Sequence, residues 1–348
     1  MRFRLVLLLA FGLLLLVRSG SACLWTYATN LDGRVEESNS ELPGFFAEGL
    51  VRKQPREHWL KWVDEMKQRS AKEPDNHKLR NDYAVMLVRA GELTEALAVL
   101  NDIEATKPGL YPTAANLGTV YELSGDVEKA LHWIQEGLAR NPQSHSGSEW
   151  LHVRILQAKQ KLAGDPDWLK THSILGLNFG EETRPVRPTN EEFAALGESQ
   201  TWDNLDYHMT IQLRERTSLV GPPDAVVADL LSDLSNVLAL KGQLENAIAV
   251  AELAQRYESP RGELLQRRLD HFHEIVHKAD KALFNRIKRL TQGLNRLAIW
   301  LSLGVITFLA LGVWWLRRRR RQKAIESSWS MTAAALTQPT ESDRQAPI

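Results

Sequence analysis

The chain has one cysteine, Cys23, among 348 residues, so no internal disulfide can form. It also lacks net charge, with 43 Lys and Arg against 43 Asp and Glu. That balance hides a layout. The two ends carry ten of the bases and three of the acids, which leaves 33 bases and 40 acids over residues 19–316. A mildly acidic middle lacks the basic face that nucleic-acid binding needs. Catalytic signatures are missing as well: no paired cysteines, no Gly-rich phosphate loop and no Ser/His/Asp pattern stand out. His152 and His172 are isolated and read as surface or satisfied core histidines. No cofactor and no enzymatic activity are expected from this inventory.

What the chain does have is two apolar runs. Arg2 and Arg4 precede Leu5 to Val17, an apolar core of 13 residues that is short for a bilayer, and Ser19 to Ala22 follow as small residues. This is the layout of a secretory signal over 1–22. Cys23 directly after it resembles the lipid-accepting cysteine of a bacterial lipoprotein signal, although Gly20 stands where Leu is usual. The alternative is ordinary cleavage beside an incidental thiol. The second run, Leu297 to Leu316, is 20 residues without a charge. At 1.5 Å per residue it covers roughly 30 Å, the hydrocarbon thickness of a bilayer. Trp300, Trp314 and Trp315 sit near its ends and Arg317 to Arg321 follow, so residues 297–316 read as a transmembrane helix. Six bases lie in the 20 residues on each side, so charge alone does not orient the span. The signal peptide does. It predicts a single-pass cell-membrane protein with an extracytoplasmic, periplasmic N-terminal domain. The basic cluster and a disordered tail, 317–348, would then be cytoplasmic.

Between these runs the sequence repeats. His77 to Leu110 and Tyr111 to Ser144 align without a gap at an interval of 34 residues. Tyr83-Ala84 falls on Leu117-Gly118, Leu87 on Tyr121, Gly91 on Gly125, Ala96 on Ala130, Leu100 on Ile134 and Pro108 on Pro142. Leu234-Ser235, Leu238, Gly242, Ala247 and Ala254 take the same offsets counted from Ala228, with Pro260 one place late. Each position has a physical reason. Small residues let two helices approach, Gly ends the first helix where positive φ costs it little, and Pro closes the second. This pattern resembles the tetratricopeptide repeat family. The resemblance implies an all-α fold, a solenoid of helix-turn-helix repeats, here with a C-terminal transmembrane helix.

The clear units, 77–110 and 111–144, lie in a repeat region over 56–164. Glu57 to Ala71 reads as the second helix of a degenerate leading repeat and Ser148 to Leu162 as the first helix of another. Residues 23–55 read as an irregular N-terminal extension anchored by Trp25. Residues 165–223, rich in Gly and Pro, read as an insertion or eroded repeat with one helix from about Trp202 to Thr217. A further repeat occupies 224–260. From Leu265 an apolar seam runs through Leu269, Phe272, Val276, Ala279, Leu283, Ile287, Leu290 and Leu294 to Leu297, mostly in steps of four and three. A helix over 261–296 with this seam could cap the last repeat or pair with a second copy as a stalk, a possible homodimer through 265–297.

His273-Glu274-Ile275-Val276-His277 spells HExxH, which on a helix would put two imidazoles on one face for zinc with Glu274 as base. Lys278 follows where zincins want an uncharged residue. Asp280 is a poor third ligand on the same helix, and the histidines flank the apolar seam. The pentad therefore reads as a solvated helix flank, with metallopeptidase as the alternative, and His273 and His277 stay weak metal candidates.

The family's first-helix positions face a peptide-binding groove. Carried onto this chain they are Asn81, Val85, Val88 and Arg89, then Ala115, Asn116, Thr119 and Glu122, then Asp229, Ser232, Asp233 and Asn236. Of the residues with which some members grip a C-terminal carboxylate, only Asn116 is present. The resemblance thus implies a membrane-anchored scaffold for an unidentified protein or peptide partner, with no nucleic acid involved.

Overall fold

The computed structural model describes residues 26–38, 41–197 and 200–336, with side chains as far as Arg320. The signal-peptide segment 1–22 and Cys23 lie outside the described residues, as does the chain beyond Leu336. Two compact units divide at Ala279 and Asp280.

The first unit begins with a short hairpin, β1 (Thr26–Thr29) and β2 (Val35–Ser38), with Thr26 opposite Ser38. Helix α1 (Pro43–Leu50) follows. The sequence led us to expect an irregular extension here. Long-range contacts decide otherwise: Thr29 donates from its N–H and its Oγ1 to the Glu245 carboxylate at 3.0 and 2.6 Å, and Leu50 is fully buried.

The repeat region then runs as α2 (Arg56–Lys72), α3 (His77–Ala90), α4 (Leu93–Thr106), α5 (Tyr111–Leu123) and α6 (Val127–Arg140). Its local causes are visible in the sequence. Asn76 Oδ1 accepts from Leu79 N–H at 3.2 Å and starts α3, and Asp126 Oδ1 accepts from Lys129 N–H at 3.1 Å and starts α6. Gly91 and Gly125 turn the chain between paired helices at φ +81° and +84°. Thr106 and Arg140 end the second helices two residues before Pro108 and Pro142. At Gly118 a Cβ would lie 2.5 Å from the Ile134 side chain, so α5 and α6 meet at a distance only glycine allows. Leu87, Leu100 and Leu117, all fully buried, join α3, α4 and α5 in one core. Arg140 stitches the two successive repeats by donating twice to the Glu104 carboxylate, at 2.8 and 3.0 Å.

After a single turn, α7 (Ser144–Gly147), come α8 (Glu149–Gly164), the short α9 (Trp168–Thr171) and α10 (Asn190–Ala194), and α11 (Trp202–Leu219). The third repeat is α12 (Ala225–Leu240) and α13 (Leu244–Arg256), with Asp224 capping α12 and Gly242 at φ +74° between them. Helix α14 (Gly262–Leu336) ends the described chain. A second, larger core joins α1 and α8 through α14, with Leu151, Met209, Leu234 and Phe272 in it.

Within the first unit α14 acts as a cap: Leu265, Leu269, Phe272 and Ala279 are buried against that core. A homodimer through the whole seam 265–297 is thereby corrected, since its first half is consumed inside the chain. In the second unit Leu283, Ile287, Leu290, Leu294 and Leu297 are all exposed. Among the described residues one helix is long and apolar enough to cross a membrane. It lies within Gly262–Arg320, and its most apolar window has a mean hydropathy of 2.2 and is wholly unburied. Helix continues to Leu336, into a tail expected to be disordered. Ala324, Met331 and Ala333 to Ala335 favour helix, and no Gly or Pro intervenes before Pro339.

Candidate partner-binding face and its internal cover

Equivalent first-helix positions meet different fates in successive repeats. On α3 and α5, Asn81, Val85, Asn116 and Thr119 are half-buried, and Asn116 Nδ2 donates to Asn81 Oδ1 at 2.9 Å. The two helices thus share one polar face. The Arg89 guanidinium rests 5.0 Å over the Trp59 ring and donates to Ser218 Oγ at 3.4 Å. Beside it a cleft of about 320 Å³ opens between Arg56, Val88, Leu93, Leu123 and Leu219.

Glu122, at the end of this face, is not open groove surface. It is buried, and α11 and α8 close over it. Arg216 of α11 donates to it through Nη1 and, at 3.3 Å, through Nη2; Lys159 Nζ lies at 2.6 Å and His152 Nε2 at 2.7 Å. The other His152 nitrogen lies 3.2 Å from Glu149, whose second oxygen meets His145. A ring with carboxylates at both nitrogens donates to both only as imidazolium. Burial alone would raise the Glu122 carboxyl, but Arg216, His152 and Lys159 hold it well below the usual carboxylate range. Burial likewise opposes ionisation of Glu149, yet hydrogen bonds from His145 and His152 bring it down to about 2. Burial would lower His152, and its bonds to Glu122 and Glu149 outweigh that and raise it.

Sequence reasoning found the helix from Trp202 but not its role. The available signal was a double stripe. His208, Gln212 and Arg216 recur every four residues, beside Leu205, Met209 and Leu213, and all six are buried. A helix buried on a polar and an apolar side must lie between partners of both kinds.

In the third repeat the expected groove residues are inside the protein. Asp229 is fully buried, accepting from Ile174 N–H at 2.9 Å and from Arg261 Nη2 at 2.6 Å. Arg261 also reaches Asp233 at 3.0 Å, and Asn236 Oδ1 accepts from Arg268 Nη1 at 2.9 Å. The cover is α14 with the loop 173–182, which contributes the carbonyls of Phe179, Gly180 and Glu182 to Arg268. Burial and the neighbouring Asp233 push Asp229 up to about 7 against the pull of Arg261. Asp229 and Asn236 are therefore corrected from groove-lining to internal residues.

No protein-family model matches the chain, and no curated protein matches it. Among solved structures it is similar to a chain of Naa15/Naa10 bound to HypK-THB, at 17% identity and TM-score 0.28, over 70% of this chain and 36% of that one. It is also similar to a tetratricopeptide repeat protein from Parabacteroides merdae, at 16% identity and TM-score 0.30, over 68% of this chain and 93% of that one. The chain spans about a third of the length of the first of these. The repeat fold stands on the helix pairs themselves, with their glycine turns and interlocked small residues.

The HExxH pentad lies along one turn and a half of α14. His273 and His277 are exposed, His273 Nε2 is 3.6 Å from Glu252, and Glu274 pairs with Lys278 on its own helix. Among the described residues no group of three or more His, Cys, Asp or Glu is arranged to hold a metal ion. The half-open face on α3 and α5 carries the paired amides of Asn81 and Asn116, the half-buried Val85 and the held Arg89 guanidinium.

Proposed function

We propose that the protein is a membrane-tethered scaffold that binds a protein or peptide partner on the face formed by α3 and α5. The observation that carries this reading is the contrast at equivalent positions. Asn81, Val85, Asn116 and Thr119 stay half-exposed, whereas their third-repeat counterparts are consumed internally. The cleft beside Arg89 extends the open face by about 320 Å³. The apolar segment 297–316 supplies the tether, with 317–348 on the cytoplasmic side and the repeats in the periplasm. The role is binding rather than catalysis.

A photo-reactive residue placed at Val85 or Thr119, in membranes of the producing cell, tests this. Adducts of defined mass are expected there and not from Glu136 on the second helix α6. Adducts of equal yield from all three positions, or from none, would remove the reading. Topology is tested separately by protease added outside the sealed membrane. It should digest the repeats and spare an epitope at the C-terminus, and the reverse pattern would invert the orientation.

The exposed seam Leu283 to Leu297 favours a second reading for that segment alone, self-association of the stem. Paired cysteines introduced at Leu290 should crosslink two copies in the membrane. Monomer at every oxidant level would rule it out.

A further inference from the structure

A second cleft, of about 560 Å³, lies between α8, α9, the loop 173–182 and the first turns of α14. Its size is that of a ligand subsite, and none of its residues belongs to the α3–α5 face. Three of its four Arg and Lys side chains lack a paired carboxylate among the described residues. Among the described residues Arg154 donates to the carbonyls of Leu175, at 3.2 Å, and Ala195. Lys161, seven residues on and so on the same side of α8, is exposed at the rim. Arg268, 3% exposed, spends its donors on Asn236 Oδ1 and on the carbonyls of Phe179, Gly180 and Glu182, all neutral acceptors. Among the described residues none of these three has a carboxylate oxygen within ion-pair distance, although Asp233 and Glu181 act on Arg268 from further off. Arg261, also on the cleft wall, is already matched by Asp229 and Asp233. Burial first, then Arg261, bring Arg268 down to about 10. A guanidinium buried without a counter-ion is costly, and an anion in the cleft lowers that cost.

We propose that this cleft binds an acidic peptide segment, its carboxylates meeting Arg154 and Lys161 while Arg268 supplies positive potential from beneath. Two features favour side-chain carboxylates spread along a chain over a compact dianion. Glu181 stands on the rim and repels a concentrated negative charge. The Trp168 ring, stacked on His172 with centroids 4.8 Å apart and planes 6° from parallel, offers an apolar wall to the methylenes. The site is independent of the α3–α5 reading and can stand if that one falls.

The test uses the full chain in neutral detergent with a fluorescent hexaglutamate peptide, its hexaglutamine counterpart and inorganic phosphate. Hexaglutamate is expected to bind and hexaglutamine not. Lys161→Glu should weaken binding by about tenfold, the worth of one charge-assisted contact, with an unchanged melting curve because Lys161 is exposed. Arg154→Gln should weaken it as well. Arg317 to Arg321 attract the peptide too, but that background is the same in both proteins, and the control Lys78→Glu should leave binding unaltered. Equal binding of the two peptides, or equal weakening by Lys78→Glu and Lys161→Glu, would overturn the proposal. So would saturation by phosphate alone with no peptide binding.

Discussion

Val85, Thr119 and Asn236 occupy one position in three repeats, yet only the first two face solvent. Between α3 and α5 the polar face is left to itself, with Asn116 donating to Asn81. In the third repeat the same face is filled by Arg261, Arg268 and the loop 173–182, and Asn236 is 4% exposed. A repeat position therefore specifies a direction in space, not an environment. What covers it comes from elsewhere in the chain. Where the cover is the chain itself, the polar groups become internal ion pairs whose removal costs stability. Where no cover exists, they cost little and remain available to a partner.

The largest expected effect tests the cap. Phe272→Ala should destabilise the first unit by about 4 kcal/mol, as for a fully buried aromatic, read by chemical denaturation in detergent. Leu290→Ala, in the exposed stretch of the same helix, should leave that transition in place. If the two behave alike, α14 does not cap the repeats. Next, Arg216→Ala should cost about 3 kcal/mol, because Glu122 stays buried with only His152 and Lys159. A change below about 1 kcal/mol would mean that α11 is held by its apolar stripe alone. Gly118→Ala forces a methyl toward Ile134 and should cost about 2 kcal/mol; a neutral result would show that α5 and α6 can part. At the small end, Asn116→Ala should change stability by no more than about 0.5 kcal/mol, since its pair is half-exposed. A large loss there would make the open face structural.

The covered regions also predict a pH dependence. His152 titrates above its ordinary 6.5, so its stabilisation is complete below 6.5 and is lost as pH rises through the raised folded value. Glu122 and Glu149 titrate below 4.5, so theirs is present above 4.5 and lost only as pH falls, toward about 2 for Glu149. Asp229, raised from 3.8 to about 7, adds a burial penalty that grows over that interval. Stability should therefore decline as pH rises from about 5 to about 7 through Asp229, and further above 6.5 as His152 loses its proton. Asp233→Asn should flatten the decline by removing the like charge next to Asp229. A slope unchanged by this substitution would shift the whole effect to His152.

Local signals in the sequence carried the repeats far. Gly91, Gly125 and Gly242 sit at positive φ, Asn76, Asp126 and Asp224 cap their helices, and the seam from Leu265 buries its first half. These features depend on residues within one turn or one repeat, so spacing reveals them. The covers were not legible. Arg216 and Glu122 are 94 residues apart, Ile174 and Asp229 are 55 apart, and Thr29 meets Glu245 across 216. No periodicity links such partners. The Gly- and Pro-rich stretch over 165–223 reads as an insertion or eroded repeat, yet the carbonyls of Phe179, Gly180 and Glu182 within it accept from Arg268. The candidate face was legible to the extent that α3 and α5 are regular. It was misread at Glu122, Asp229 and Asn236, whose environment is set by other elements.

The most direct test of the contrast is thiol accessibility. In a Cys23→Ser background, Val85→Cys, Thr119→Cys and Asn236→Cys would each be exposed to a membrane-impermeant maleimide added outside the sealed membrane. Rapid labelling at residues 85 and 119 with protection at 236 is the predicted result. Equal rates at all three positions, or protection at 85 and 119, would contradict the account of one open and one internally covered face.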